Sequence, residues 1–240
     1  MLSFICASNN MEIYEQCIVK SLAKQKNTDF ELILIDTAEK EYSSAAKALN
    51  EGANKAKGEY FVFLHHDIVI EDENFVDKLN LWLNQHNFGI AGVAGTVRLP
   101  NRKKANVVSN IVHGEKKQVP GIKTTETVSC ETLDECLFVI PKKVFFEHQF
   151  VELMPTWHLY CVEYCLWAKE HNYDVLLTPM FLWHKSAGAS MNANYFDALL
   201  KLRKMYNKDI CTTMGLWPQN NIIMYLKIVR YKLKKLLRMQ

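Results

Sequence analysis

Three short apolar runs in the first quarter of the chain predict three buried strands. They cover Leu2–Cys6, Phe30–Ile35 and Tyr60–Leu64. Such nearly continuous apolar runs are typical of strands that are covered on both faces. Between them, Glu12–Lys24 has helical spacing, and Ser43 or Ser44 is placed to cap a second helix that ends at Lys57. This alternation predicts a parallel sheet with right-handed crossovers.

The pattern continues with alternating helices and strands, interrupted once. Residues 98–127 are polar and basic, which predicts a flexible excursion or a small hairpin, and ordered structure is expected to resume over Val128–Ile140. The other predicted elements are a helix over Phe75–Asn84, a strand over Ile90–Val97, a helix over Trp157–His171, a strand over Val175–Leu177 and a helix over Asn194–Tyr206.

Composition is consistent with one α/β domain. The chain has 240 residues, of which 49% are hydrophobic and 23% charged. No apolar stretch approaches the roughly 18 residues of a membrane span. The 7 cysteines are odd in number and no signal-peptide pattern begins the sequence, so we expect a reducing, cytoplasmic location.

Basic charge is concentrated in the last part of the chain. No acidic residue follows Asp209, and removing the six later cations from the net charge of +3 leaves −3 for the rest, which argues against nucleic-acid binding. Apolar residues also recur there at helical spacing. This pattern predicts either an amphipathic helix on a membrane surface or a docked helix with a solvated basic face. The six cations are Lys227, Arg230, Lys232, Lys234, Lys235 and Arg238, and the apolar positions are Ile222, Ile223, Leu226, Val229, Leu233, Leu236 and Leu237.

Polar side chains follow each of the three predicted strands. Asn9 comes after the first strand, Asp36 ends the second, and His65, His66 and Asp67 end the third. In open α/β sheets, ligands bind beyond the carboxyl ends of parallel strands. We therefore expect a ligand site there.

Several other chemistries lack their motifs. The sequence contains no G-x-S-x-G, P-loop or G-x-G-x-x-G motif, which disfavours hydrolase, NTPase and dehydrogenase functions. Cys161 and Cys165 lie four residues apart near His158, but no second cysteine pair completes a zinc motif, so we interpret them as core residues.

The ordered segments "SFICASNN", "ELILID", "ALNEGANKAKGEYFVFLHHD" and "DECLFVI" resemble the family 2 nucleotide-sugar glycosyltransferases of the GT-A fold. The resemblance covers roughly residues 1–206 and is closest to a subgroup with a His-x-Asp metal motif. It implies a single α/β domain with a Rossmann-like, mostly parallel central sheet flanked by helices. Residues 1–97 would form its nucleotide-binding half, 98–210 its acceptor half, and 211–240 a basic amphipathic helix.

The resemblance also implies the donor site. Ser8, Asn9, Asp36, His65 and Asp67 would bind a UDP- or dTDP-sugar, and Asp67 with His184 would hold Mn²⁺ or Mg²⁺. A divalent ion neutralises the charge that develops on the diphosphate, and a single carboxylate is sufficient for Mg²⁺. The chain departs from the family pattern at His65, where an aspartate is usual, and at Thr37, where a second aspartate is common.

The family places a general base on a helix comparable to the one that carries Glu163. A carboxylate in apolar company has a raised pKa, which suits it to take a proton from an acceptor hydroxyl. Asp134 and Glu135 are the alternatives, with acceptor binding as their first expected role. His158 and Tyr160 are expected to contact the acceptor as well.

The function implied is inverting sugar transfer to a growing bacterial surface glycan or lipid-linked saccharide. The predicted location is cytoplasmic, with residues 221–239 on the inner face of the membrane. Two other functions stay open: an inactive GT-A-like binding domain and a nucleotidyltransferase.

Overall fold

A seven-stranded sheet organises the protein. The computed structural model describes residues 1–98, 105–186 and 194–237. The strand order is β2-β1-β3-β11-β5-β12-β9, and β11 and β9 run against the direction of the other strands. The strands of this sheet are β1 (Leu2–Ser8), β2 (Phe30–Asp36), β3 (Tyr60–His65), β5 (Ile90–Gly92), β9 (Val128–Ser129), β11 (Leu137–Pro141) and β12 (Val175–Leu177). The predicted α/β class and mostly parallel sheet are confirmed.

The first half of the sheet forms as the apolar runs predict. β1 pairs in parallel with β2 and β3, and two apolar clusters cover the two faces. Ser44 caps α3 by accepting a hydrogen bond from the Lys47 amide. The helices of this half are α1 (Met11–Tyr14), a π-helical turn (Glu15–Val19), α2 (Lys20–Leu22), α3 (Ala45–Lys55) and α4 (Phe75–Gln85).

The predicted strand over Ile90–Val97 is wrong in one respect. It divides at Val93 into β5 and β6 (Ala94–Arg98), which belong to different sheets. β11 occupies the position between β3 and β5 and is antiparallel to both. Because of this direction, the loop before β11 lies at the carboxyl end of β3.

Small sheets extend from the main one. The segment predicted as a flexible excursion or a small hairpin contains strands over its described part, residues 105–127, and residues 99–104 lie outside the description. β10-β6-β7 and β4-β13-β8 are three-stranded sheets. Their strands are β4 (Ile68–Val69), β7 (Ala105–Ser109), β8 (Ile111–His113), β10 (Thr132–Leu133) and β13 (Leu182–His184).

The carboxyl-terminal part packs on a third apolar cluster. The remaining elements are α5 (Lys142–Glu147), α6 (Tyr160–Glu170), α7 (Asn194–Tyr206), β14 (Ile210–Thr212), β15 (Gly215–Trp217) and α8 (Asn221–Leu237). The boundary predicted between the acceptor half and the terminal helix, at residue 210, falls inside β14. The Cys211 carbonyl of this strand accepts a hydrogen bond from the Thr132 hydroxyl. The hairpin β14–β15 therefore packs with the main body, and the terminal helix begins only at Asn221. Within the described ranges, no helix has the length and apolar character needed to cross a membrane.

Helix α8 has two apolar faces. Met224 and Ile228 are buried against the third cluster, whereas Ile222, Leu226, Val229 and Leu233 are 72%, 65%, 53% and 54% exposed. At 100° per residue the two sets point in opposite directions. The docked residues are absent from the apolar set that the sequence predicted. Lys227 also turns inward, over the Trp217 ring. Side chains beyond residue 233 lie outside the description.

Candidate functional site

The carboxyl ends of β1, β2 and β3 bring three predicted residues side by side. Ser8 is in register with Asp36, and Ala7 is in register with His65. The Ser8 hydroxyl lies 2.8 Å from Nδ1 of His66, so a hydrogen bond joins the ends of β1 and β3. The prediction favoured His65 over His66 for the donor site, yet the His66 ring is part of this edge.

Asp67 and His184 form the centre of the site. Oδ1 of Asp67 lies 3.1 Å from Nε2 of His184, and both side chains are buried. Burial alone would raise the pKa of Asp67. The hydrogen bonds from His184 and from the hydroxyl of Ser186 outweigh that effect and hold the Asp67 pKa well below its usual range. The Asp67 carboxylate is therefore an anion at neutral pH.

A second imidazole faces His184 from the neighbouring strand. β13 pairs with β4 and β8, which places His184 opposite His113, and the two Nδ1 atoms are 3.1 Å apart. The His65 ring lies 5.7 Å from the His184 ring, centroid to centroid. Burial, and then the proximity of His184, lower the pKa of His65 to about 4, so His65 is neutral at neutral pH. Neutral imidazoles are available as metal ligands.

The loop before β11 contributes a thiol that sequence reasoning missed. Cys136 is buried, and ligand atoms of His65, Cys136 and His184 all lie within 4.8 Å of one another. The Cys136 amide donates a hydrogen bond to Oδ1 of Asp134, and Thr213 donates to Oδ2. A cysteine inside an apolar run resembles a core residue. Only the antiparallel direction of β11 reveals its place at the site.

Glu135 belongs to the loop before β11, and His158 lies beside that loop. Oε2 of Glu135 is 3.5 Å from Nδ1 of His158, while Oε1 is buried without a hydrogen-bond partner among the described residues. Burial raises the pKa of Glu135, and the nearby His158 opposes that rise only in part. Leu159, next to His158, has φ of +71°, an uncommon conformation for leucine that fixes the turn into α6.

Of two further predicted donor residues, Asp36 has local structural partners and Asn9 is exposed. Asp36 accepts hydrogen bonds from the amides of Ala38 and Glu39, which is the turn-forming geometry that the sequence left as the alternative. Asn9 is exposed, and it is Asn10 that caps α1 by accepting from the Ile13 amide. Donor binding by Asp36 and Asn9 stays a prediction.

The structure does not bring Glu163 or Tyr160 to this site. Glu163 is 1% exposed, and its carboxylate oxygens contact Nε2 of His148 and the hydroxyl of Tyr206. Tyr160 is 5% exposed and packs on Phe150 in the aromatic core. Both side chains therefore face the protein interior, where they leave no room for a saccharide.

Comparison with known proteins decides the family. The family described as "Glycosyltransferase like family" matches residues 3–202. The chain belongs to this glycosyltransferase-like family. No curated protein matches it. The predicted relationship to family 2 glycosyltransferases is therefore confirmed, whereas the His-x-Asp motif stays a prediction.

Solved glycosyltransferases share the fold at low identity. GalNAc-T7, crystallised with UDP, GalNAc and Mn²⁺, is 13% identical with a TM-score of 0.63 over 85% of this chain and 47% of that chain. TarS residues 1–349 from S. aureus, in complex with UDP, is 15% identical with a TM-score of 0.55 over 85% and 64%. This glycosyltransferase-like chain thus spans less than two thirds of either structure. The GT-A fold is confirmed.

The atoms at the site that could bind a metal ion fit a divalent cation, and their elements favour some cations over others. Asp67 offers oxygen, which Mn²⁺ and Mg²⁺ prefer, whereas His65, His184 and Cys136 offer nitrogen and sulfur. His184 belongs to both sets. The residues therefore suit Mn²⁺ better than Mg²⁺, because Mn²⁺ accepts imidazole more readily.

Proposed function

We propose that the chain transfers a sugar from a UDP- or dTDP-linked donor to a hydroxyl of a growing cell-surface glycan or lipid-linked saccharide, with inversion. The observation that carries this proposal is the meeting of Asp67, His184 and the loop with Asp134 and Glu135 beyond the carboxyl ends of a GT-A sheet. The nucleotide would lie along Ser8, Asn9 and Asp36. UDP in both structural neighbours supports a nucleotide donor.

Asp67 and His184 would hold the ion beside the donor diphosphate, with His65 next to them. When bound, Mn²⁺ or Mg²⁺ would supply the positive charge that stabilises the leaving diphosphate. The anionic state of Asp67 supports this role. The burial of this pair lowers the local dielectric constant, which would strengthen its interaction with the ion.

We assign the general base to Glu135, in preference to Glu163. The acceptor oxygen would attack the anomeric carbon while the bond to the diphosphate breaks, and the hydroxyl proton would pass to Glu135. A base needs a pKa near the working pH, and burial raises that of Glu135. Its Oε1 has no partner among the described residues, whereas the Glu163 carboxylate is held by two. A single base opposite the leaving group gives one displacement, hence inversion.

Asp134, in the loop before β11, and His158, just before α6, would contact the acceptor. An acceptor on a lipid carrier would require the chain to reach the cytoplasmic face of a membrane. The exposed apolar face of α8, flanked by Arg230 and Lys232, supports peripheral membrane contact over residues 221–239.

Two other functions are less well supported. A nucleotidyltransferase would share the sheet, but the turn after β1 lacks a Gly- and basic-rich loop. A binding domain that has lost catalysis would bind UDP without turnover. The chain's carboxylates and imidazoles at the strand ends favour an enzyme.

One experiment separates these functions. Thermal unfolding is measured with a panel of nucleotide sugars and with Mn²⁺, and the stabilising donor is then assayed for UDP or dTDP release with saccharide acceptors. We expect Glu135→Gln to bind the donor normally and to lower turnover about 10²-fold or more. Glu163→Gln is the matched control and should retain near-normal turnover. Stabilisation without turnover on any acceptor would favour the binding domain.

A further inference from the structure

We propose that His65, Cys136 and His184 form a binding site for Zn²⁺. Their ligand atoms already lie within 4.8 Å of one another, and the three residues come from β3, the loop before β11, and β13. Ligands of a tetrahedral zinc ion, with bonds of about 2.0–2.3 Å, lie roughly 3.4–3.6 Å apart. A small closing movement of three side chains therefore completes the site.

The chemistry of the three ligands selects the ion. One thiolate and two imidazoles form a soft nitrogen–sulfur set, which prefers Zn²⁺ or Co²⁺ and disfavours Mg²⁺ and Mn²⁺. On binding, the Cys136 thiol gives its proton to solvent and the sulfur forms the bond to the metal, with no change of oxidation state. This set differs from the oxygen-containing pair of Asp67 and His184.

The groups around His184 are those of a metal-binding histidine. Asp67 accepts the hydrogen bond from Nε2 of His184 at 3.1 Å, which fixes the ring and leaves the lone pair on Nδ1. A carboxylate behind a histidine in this way orients the ligand, and its removal costs about 10–100-fold in metal affinity. His113 contacts the same ring, with its Nδ1 3.1 Å from Nδ1 of His184, but its ring does not belong to the group of three whose ligand atoms are mutually close.

The main sheet and the small β4-β13-β8 sheet keep the ligand-bearing segments together without metal. The His65 amide donates to the Cys136 carbonyl at 2.9 Å, and the Lys185 amide donates to the Asp67 carbonyl at 3.0 Å. Backbone hydrogen bonds therefore hold all three ligand segments in place. The metal-free chain should fold, and Zn²⁺ should bind to a formed site.

The test uses the full chain without any nucleotide, so its result is independent of sugar transfer. Co²⁺ is added as a spectroscopic substitute for Zn²⁺, and the thiolate-to-cobalt absorption in the near ultraviolet is recorded. We expect the absorption to appear, to be displaced by Zn²⁺, and to be lost in Cys136→Ser. Cys211→Ser, in β14 and outside the group of three ligands, is the matched control and should keep it.

A second measurement identifies the sulfur ligand without substituting Cys136. X-ray absorption of the Zn²⁺-loaded wild-type chain should show a sulfur neighbour at about 2.3 Å besides nitrogen neighbours. Asp67→Asn should weaken Zn²⁺ binding about 10–100-fold while keeping the sulfur ligand. Oxygen and nitrogen neighbours alone, or equal Co²⁺ absorption in Cys136→Ser, would overturn the proposal.

Discussion

Tyr206 donates a 2.6 Å hydrogen bond to Oε1 of Glu163, and this bond joins the end of α7 to the interior of α6. His148 contacts the other carboxylate oxygen at 3.1 Å and stacks on the Trp167 ring. A buried carboxylate with two partners is a structural group, because removing one partner leaves a buried oxygen without that hydrogen bond.

Tyr206→Phe should therefore destabilise the protein without changing donor affinity. The loss of a hydrogen bond to a charged group corresponds to about 1.5–3 kcal/mol of unfolding free energy. Chemical denaturation measures it, and Tyr225→Phe, on the exposed side of α8, is the matched control. An unchanged denaturation midpoint in Tyr206→Phe would show that the bond contributes no stability.

Acid should weaken a set of hydrogen bonds at the amino-terminal end of β2, away from the candidate site. Oε1 of Glu31 accepts hydrogen bonds from the Ser3 hydroxyl and from the amides of Lys57 and Gly58. Burial acts to raise the pKa of Glu31, but these three donors outweigh it and lower the pKa below its ordinary value. The resulting stability is fully present above the unfolded pKa of about 4.3 and disappears as the pH falls through the folded pKa.

Glu31→Gln should consequently melt below the wild type at pH 7, and the difference should shrink in acid. Thermal melts over a pH series measure this difference. Glu115→Gln, in an exposed turn, should show no such pH-dependent difference. A difference in melting temperature between Glu31→Gln and wild type that stays the same at low pH would contradict this role of Glu31.

Asp67→Ala should lower UDP affinity in the presence of Mn²⁺ about 10–100-fold, because the variant loses an oxygen ligand and the group that orients His184. Calorimetry with and without Mn²⁺ measures the effect. The exposed Asp174→Ala is the control. If Asp67→Ala kept the full metal dependence, the ion would have to be bound elsewhere.

The two faces of α8 predict opposite results from two sets of substitutions. Leu226→Gln with Val229→Gln should abolish binding to phosphatidylglycerol vesicles at low salt and leave the melting temperature nearly unchanged. Ile228→Ala should lower stability by about 2–4 kcal/mol, because it leaves a cavity in the third cluster.

Co-sedimentation and thermal melts measure both effects, and high salt should weaken vesicle binding by the wild type. Wild-type protein that stays in the supernatant at low salt would exclude the membrane role. The exposed face would then be assigned to contact with another protein.

Local patterns predicted most of the fold but only part of the site. The apolar runs located β1, β2 and β3, since a strand covered on both faces has an unmistakable composition. The insertion of β11 could not be predicted, because pairing between Leu64 and Leu137 is distant along the chain and leaves no local signal. Cys136 was missed for that reason. Glu163 was assigned from the family's base helix, and that resemblance carries no information on the neighbours, His148 and Tyr206, that hold this side chain.

The strand order also determines the stage of synthesis at which the central sheet can be completed. β2, β1 and β3 are linked by local crossovers, so these three strands can pair as soon as the third has left the ribosome. β5 joins the sheet only through its pairing with β11, which lies between β5 and β3. β5 is nevertheless synthesised well before β11. During that interval the open edge of β3 is exposed to other chains. Slowing translation between residues 92 and 137 should therefore increase aggregation of the nascent protein, because the central position of the sheet stays empty for longer.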